Sequence, residues 1–209
     1  MNTTQMAAIE MKIKQTGKHF KQSMLGLVLM SLCPLGALAQ TGHAHAAAAQ
    51  EQTAAQKSQA SALVKIVRDS TEHFKDVSQA EKEGYALQFG CVSGPDSGAM
   101  GLHYINGALV GAGIIDPTHP PIVIYEAQPN GHLKLIGADF LVFADAWDKK
   151  NQGPPELMGQ LFHYWESPNR FGLPAFYTLH VWAWKDNPNG AFVNWHPNVS
   201  CQSFTPQNP

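Results

Sequence analysis

The sequence predicts an α+β domain in which amino-terminal helices pack on a mainly antiparallel sheet whose strands are joined by long loops. Three observations lead there. Apolar residues recur at three- and four-residue spacings over residues 56–74, the pattern changes to short strand-like runs after Tyr85, and two of those runs flank the turn Gln128-Pro129-Asn130-Gly131. Helices first, then strands joined by hairpins, are the order of an α+β fold rather than of alternating parallel units.

The elements follow in chain order. In the helix at 56–74, Ala62, Leu63, Ile66, Val67 and Phe74 make one apolar face. Asp76 is placed to cap a second short helix through Val77, Ala80 and Glu83, which Gly84 ends. The charges from Lys65 to Glu83 form a solvated face, so both helices are scaffold. Residues 100–105 make a short strand, and 107–113 a glycine-rich connection to the Asp116-Pro117 turn. Residues 122–127 and 132–143 form the hairpin, and a third long strand runs over 175–185 between Pro174 and Asn187-Pro188-Asn189-Gly190. The chain has no internal repeat.

Residues 1–39 read as an export signal. Lys12, Lys14, Lys18 and Lys21 make a positive start, 24–32 is an apolar run, and Ala37-Leu38-Ala39 supplies small residues for cleavage after Ala39. The apolar run is shorter than the roughly 20 residues that span a bilayer, and no second candidate for a transmembrane segment follows. Cys33 is an ordinary cysteine of that run, because Leu32 stands where lipidation wants a small residue. Residues 40–57 are a flexible Ala/Gln/Thr/His segment, leaving 58–209 as a single globular domain, near the usual domain size. The expected location is periplasmic or secreted.

Charge and cysteines agree with that location. Without residues 1–39 the chain carries ten basic against fifteen acidic residues, which argues against nucleic acid as a partner and leaves a small molecule or a metal ion. Only Cys91 and Cys201 survive processing, and in an oxidising compartment a lone pair reads as a disulfide.

Histidines carry the functional signal. Six of the ten lie between His103 and His196. With a four-residue hairpin loop, strand parity puts Ile122, Ile124 and Glu126 on one face with Leu133, Leu135 and Asp139. His180 shares a face with Phe176, Thr178, Trp182 and Trp184, and His103 with Gly101 and Ile105. An ionisable group in an apolar layer costs several kcal/mol unless it is paired or hydrogen-bonded. These positions therefore either satisfy one another or hold an ion.

The same register separates Glu126 from Asp139 by roughly 20 Å along the sheet, so one ion takes only one of them. The candidate ligand set is His103 and His180 with Asp139 or Glu126, joined by His163 from the Leu161-Phe162-His163-Tyr164 segment. Two or three imidazoles and a carboxylate suit zinc, copper or iron. No HExxH or HxH spacing fixes this, and the same residues could act as buried structural side chains, as a metal-binding or small-ligand site, or as a metal-dependent hydrolase or oxidoreductase.

Other features carry less. His119 and His132 lie in or beside turns, His196 sits in Trp195-His196-Pro197 near the second cysteine, and His43 and His45 belong to the new amino terminus. Cleavage after Gln40 would free Thr41-Gly42-His43, a tripeptide able to hold copper(II), but glutamine is a poor residue before a cleavage point. Trp147, Trp165, Trp182, Trp184 and Trp195 fill a core or line a small-molecule cleft with His180 at its floor. Ser93 lacks the GxSxG setting of a nucleophile, and no glycine-rich phosphate loop occurs.

Taken in order, the Gly84-Tyr85 pair, Gly90-Cys91-Val92-Ser93, the stretch from Gly98 through His103 to Tyr104, Asp116-Pro117 with Pro121 to Glu126, Leu179-His180-Val181-Trp182-Ala183-Trp184-Lys185 and Asn198-Val199-Ser200-Cys201 resemble a family of uncharacterised exported bacterial proteins. The likeness covers roughly residues 60–201 and implies an exported single domain with no assigned reaction. In that pattern a glutamate often stands where this chain has Asp139, which keeps the acid. An asparagine often stands at His196, which weakens His196 as a ligand.

Overall fold

The structure is a computed structural model and describes residues 52–206. The export signal expected at 1–39, together with Cys33, His43 and His45, lies outside the described residues. The predicted α+β arrangement is present: helices come first, and a six-stranded antiparallel sheet follows.

Helix α1 spans Ala54–Thr71 and begins in a capping box, where Thr53 and Gln56 each bond the other's backbone N–H. A 3₁₀ turn, Glu72–Lys75, leads to helix α2, Val77–Lys82, whose first turn is capped by Asp76 accepting from the Ser78 N–H at 3.0 Å. Strands β1 (Tyr85–Gly94), β2 (Gly98–Asn106), β3 (Ile122–Ala127) and β4 (Leu133–Phe143) form an antiparallel meander. Helix α3 (Gly107–Ala112) joins β2 to β3, and helix α4 (Ala144–Asp148) follows β4. The short β5 (Glu156–Leu157) and β6 (Gln160–Leu161) pair with each other. Strands β7 (His163–Trp165) and β8 (Phe176–Val181) complete the large sheet, in the order β1-β2-β3-β4-β8-β7.

The helices cover one face of this sheet. Leu63 and Val67 of α1 pack on Ala138, Phe140, Leu179 and Val181, while Phe74 and Ala80 pack on Tyr85, Tyr104, Val123 and Tyr125. Each large apolar side chain buried there contributes about 1.5–3 kcal/mol. Two phenols find backbone acceptors inside this layer, Tyr125 on Phe74 O at 2.6 Å and Tyr85 on Pro120 O at 2.7 Å. The opposite face packs Ile122, Ile124, Ile136 and Phe176 under the chain's later segments, including Phe171, Leu173 and Val199. Cys91 and Cys201 are bridged, with 5.7 Å between their Cα atoms, and so tie β1 to the carboxy-terminal segment.

The structure departs from the sequence expectations in four details. The hairpin loop has five residues, because Ala127 pairs with Leu133, and an extra residue in β4 shifts the register between Ile124 and Tyr125. Leu133 and Leu135 therefore join the helix-covered layer, while Ile122, Ile124 and Asp139 keep the shared face that parity gives them. The connection at 107–112 is helical rather than open, since the Asn106 side chain accepts from the Ala108 and Leu109 N–H groups and caps it.

The third strand stops at Val181 instead of running to Lys185. A turn in which Ala183 N–H donates to Val181 O ends it, and Trp184 swings to the helix side, where its Nε1 donates to Thr71 Oγ1 at 3.0 Å. Residues 85–94 form a strand that the sequence reading does not place. Its alternation is broken by Phe89 and Gly90, both in the left-handed region with φ of 63° and 61°.

Candidate metal centre

Three strands of the loop-covered face each contribute one ionisable side chain. His103 stands on β2, Asp139 on β4 and His180 on β8, and the last two are register partners. On a flat sheet β2 and β8 would lie three strand spacings apart, about 14 Å. The sheet instead curves so that both rings lean over the intervening strands, and His103 Nε2 comes to 3.4 Å from His180 Nε2. Two glycines permit this close packing. A Cβ at Gly101 would meet Tyr125 O at 2.6 Å, and one at Gly137 would meet Val181 O at 2.7 Å.

All three groups are buried, with 7%, 3% and 2% of the surface of His103, Asp139 and His180 exposed. They offer ligand atoms that lie within 4.8 Å of one another, the one such trio of histidine, cysteine or acidic residues among the described residues. Asp139 Oδ1 accepts from the Thr178 hydroxyl at 2.6 Å and stands 3.6 Å from His180 Nδ1, too far for a hydrogen bond. The Nδ1 atoms of both histidines are buried without a partner.

Burial sets the charge states. Desolvation first, and His180 second, push His103 down to about 4, against the opposing pull of Asp139. Desolvation, then His163, push His180 down to about 3. Desolvation raises Asp139 to about 6, although His103 and the Thr178 hydrogen bond favour its ionised form. At neutral pH the site therefore holds two neutral imidazoles and a carboxylate with no cation beside it.

That combination fits a metal. A tetrahedral ion with bonds of about 2.0–2.1 Å to two nitrogens separates them by about 3.3–3.4 Å, which is the spacing of the two Nε2 atoms. Neutral imidazole lone pairs and an anionic oxygen are the donors that such an ion requires. A divalent cation would also neutralise the buried Asp139 carboxylate.

Two of the sequence candidates stay outside the cluster. Glu126 is half-buried with Lys185 Nζ at 2.7 and 2.9 Å from its two oxygens, and it accepts from the Ser200 N–H. It pairs with Lys134, whereas Asp139 pairs with Ile122, so about 13 Å of strand divides them. His163 sits exposed on the edge strand β7 with its Nε2 3.2 Å from Phe192 O, and it reaches His180 only as a neighbouring charge.

The other histidines have structural partners. His196 is fully buried, donates from Nε2 to Asp186 O and accepts the Asn198 N–H at Nδ1, which clamps the turn before Cys201. His119 is exposed and bonded to Asp116. Thr178, which holds the carboxylate, shares the face of His180 by strand parity but carries no role among the sequence candidates. Its signal is the two-residue step to His180 on the same strand.

A cavity of about 30 Å³ opens onto the cluster. His103, Asp139, Thr178 and His180 line its floor, and aliphatic and aromatic side chains line the remainder. A second, more open depression next to His163 is lined by Asp96, Ser97, Asn194 and Trp195, among others.

No protein-family model matches the chain, and neither a curated protein nor a solved structure is significantly similar to it. The site is therefore read from its own chemistry. Among the described residues no helix is long and apolar enough to cross a membrane.

Proposed function

We propose that this chain is an exported protein, periplasmic or secreted, whose domain binds a transition metal ion through His103, His180 and Asp139. One observation carries the reading: a buried carboxylate with no cation beside it lies against two neutral imidazoles whose Nε2 atoms are 3.4 Å apart. Two nitrogens and an oxygen suit zinc, copper or iron. Export is supported by the charged and apolar start of the chain, by the small residues at Ala37-Leu38-Ala39 and by the Cys91–Cys201 bridge, since disulfides persist in oxidising compartments. The likeness to exported bacterial proteins is part of this proposal.

The decisive experiment is metal analysis and calorimetry on protein purified without a histidine tag. The expected result is one equivalent of a divalent transition metal, lost in His103→Ala and His180→Ala and retained in His132→Ala. Absence of metal together with no binding tighter than that of His103→Ala or His180→Ala would leave the cluster as a buried polar core.

A second reading is a metal-dependent hydrolase or oxidoreductase on the same residues. The feature favouring it is the cavity at the floor of which the three ligands lie, because three protein ligands with an accessible position are the pattern of catalytic rather than structural sites. Coordination by three protein ligands and water would support it, and a closed four-ligand shell would exclude it.

A further inference from the structure

The cavity above the cluster has apolar walls and an aromatic mouth, and metal binding alone uses neither. Exposure identifies the mouth. Deep in the cavity Ile122 and Phe176 are buried, whereas Trp165, Phe171 and Leu173 are half-buried and Phe89 is 46% exposed. Phe89 is held there by the bulge in β1, in a left-handed conformation that an aromatic residue rarely adopts. Its ring meets Phe171 edge-on at 5.4 Å between centroids, and Phe171 meets Trp165 at 5.5 Å.

We infer that this cavity admits a small uncharged molecule, of the size and polarity of dioxygen, to the centre formed by His103, Asp139 and His180, through a mouth closed by Phe89 and Phe171. Size is the first reason. The cavity holds about 30 Å³, against the roughly 300–1,000 Å³ of pockets that take drug-sized ligands. Charge is the second. No lysine or arginine lines the cavity, and an anion would shed its water between apolar walls while facing the Asp139 carboxylate. The nearby Arg170 lies over the Phe171 ring and donates to Ser93 O, outside the cavity. A small neutral molecule loses little hydration on entering between these aliphatic and aromatic walls, and apolar surfaces enclosing such a space take up uncharged atoms and molecules. The inference rests on the metal-binding reading for what the molecule meets at the floor, and on the cavity alone for what enters.

The test uses metal-free exported protein with its disulfide intact and follows methyl NMR signals under xenon pressure. Xenon should produce saturable shifts at Ile122, Leu141 and Leu173, with none at Leu63 and Val67 beneath α1. Inorganic phosphate and acetate should leave the same signals in place. No saturable xenon shift at the cavity methyls, or saturable shifts with phosphate or acetate, would overturn the inference.

Two further measurements separate its parts. Glycine adopts the backbone conformation of Phe89 without strain, so Phe89→Gly should keep its melting temperature while xenon exchange becomes about tenfold faster. Unchanged exchange would remove Phe89 from the mouth and overturn that part. Cobalt(II) added to a second sample reports the centre through its visible bands. Xenon shifts without cobalt bands overturn the metal reading alone, and cobalt bands without xenon shifts overturn this inference alone.

Discussion

Asp139 and His180 are register partners on β4 and β8, yet Asp139 Oδ1 and His180 Nδ1 stand 3.6 Å apart, and the carboxylate takes its short hydrogen bond from Thr178 instead. The nearest imidazole therefore does not neutralise the buried acid. A relay of hydrogen-bonded side chains would draw these atoms to about 3 Å. The arrangement suits an ion shared by the three groups better than a proton passed between two of them.

The first prediction concerns that acid. Asp139→Asn keeps the shape and the contact with Thr178 but removes the charge, so the metal-free protein should be as stable or more so, by up to about 2 kcal/mol. Metal affinity should drop by about 100-fold or more, because a buried site then lacks its only anion. Thermal melts with and without metal measure both. A metal-free variant that melts well below the parent would show that the native carboxylate is already compensated.

Acid sensitivity provides the second. The unfolded chain takes up histidine protons near pH 6.5, whereas folded His103 and His180 do so only at about 4 and about 3, so acidification through that window favours unfolding. Asp139 acts oppositely, since its folded value of about 6 lies above the unfolded 3.8 and the folded state gains the proton first. Two histidines outweigh one acid. Metal-free protein should lose roughly 1 kcal/mol per pH unit between pH 6 and 4, read from urea unfolding. Metal affinity should hold down to about pH 6, where a proton begins to compete at Asp139, rather than weaken from 6.5 as ordinary histidines would dictate. A loss centred at 6.5 in both parent and Asp139→Asn would contradict the burial argument.

Glu126 gives a contrast. Its bond to Lys185 is half-buried and remote from the cluster, so Glu126→Gln should cost about 1–3 kcal/mol of stability while leaving metal affinity within about twofold. Equal losses in affinity for Glu126→Gln and Asp139→Asn would mean that both acids serve one ion.

The last prediction is covalent. Intact-mass analysis of exported protein should find a chain beginning at Gln40 with no alkylated thiol until reductant is added. Replacing Cys91 and Cys201 by serine should cost about 2–5 kcal/mol, because the bridge closes a long loop. Free thiols in the native protein, or a retained amino-terminal signal, would count against export by this route.

Local signals made the scaffold legible. Asp76 capping α2, the hairpin around Asn130-Gly131 and the period of α1 all depend on neighbours within a turn or two. Strand parity aligns Asp139 with Ile122 and Ile124 because the longer loop and the bulge in β4 each shift the register by one residue and their effects on parity cancel beyond the bulge, leaving only Leu133 and Leu135 on the other face. The bulge itself leaves no mark in a run as apolar as 133–143. Phe89 and Gly90 do leave a mark, but it erases the alternation by which β1 would be recognised. The convergence of His103 on His180 depends on the curvature of four paired strands, which no local pattern encodes, and the three-residue β7 was too short to place His163 at an edge.

The three donors are far apart in the chain, with His103 and His180 separated by 77 residues, and they meet only once β2, β3, β4 and β8 have all paired. An unfolded chain offers the ion no comparable grip. On the proposal that this chain crosses a membrane before folding, metal loading would belong to the destination, and the ion received would be chosen from what that compartment supplies after the sheet has closed.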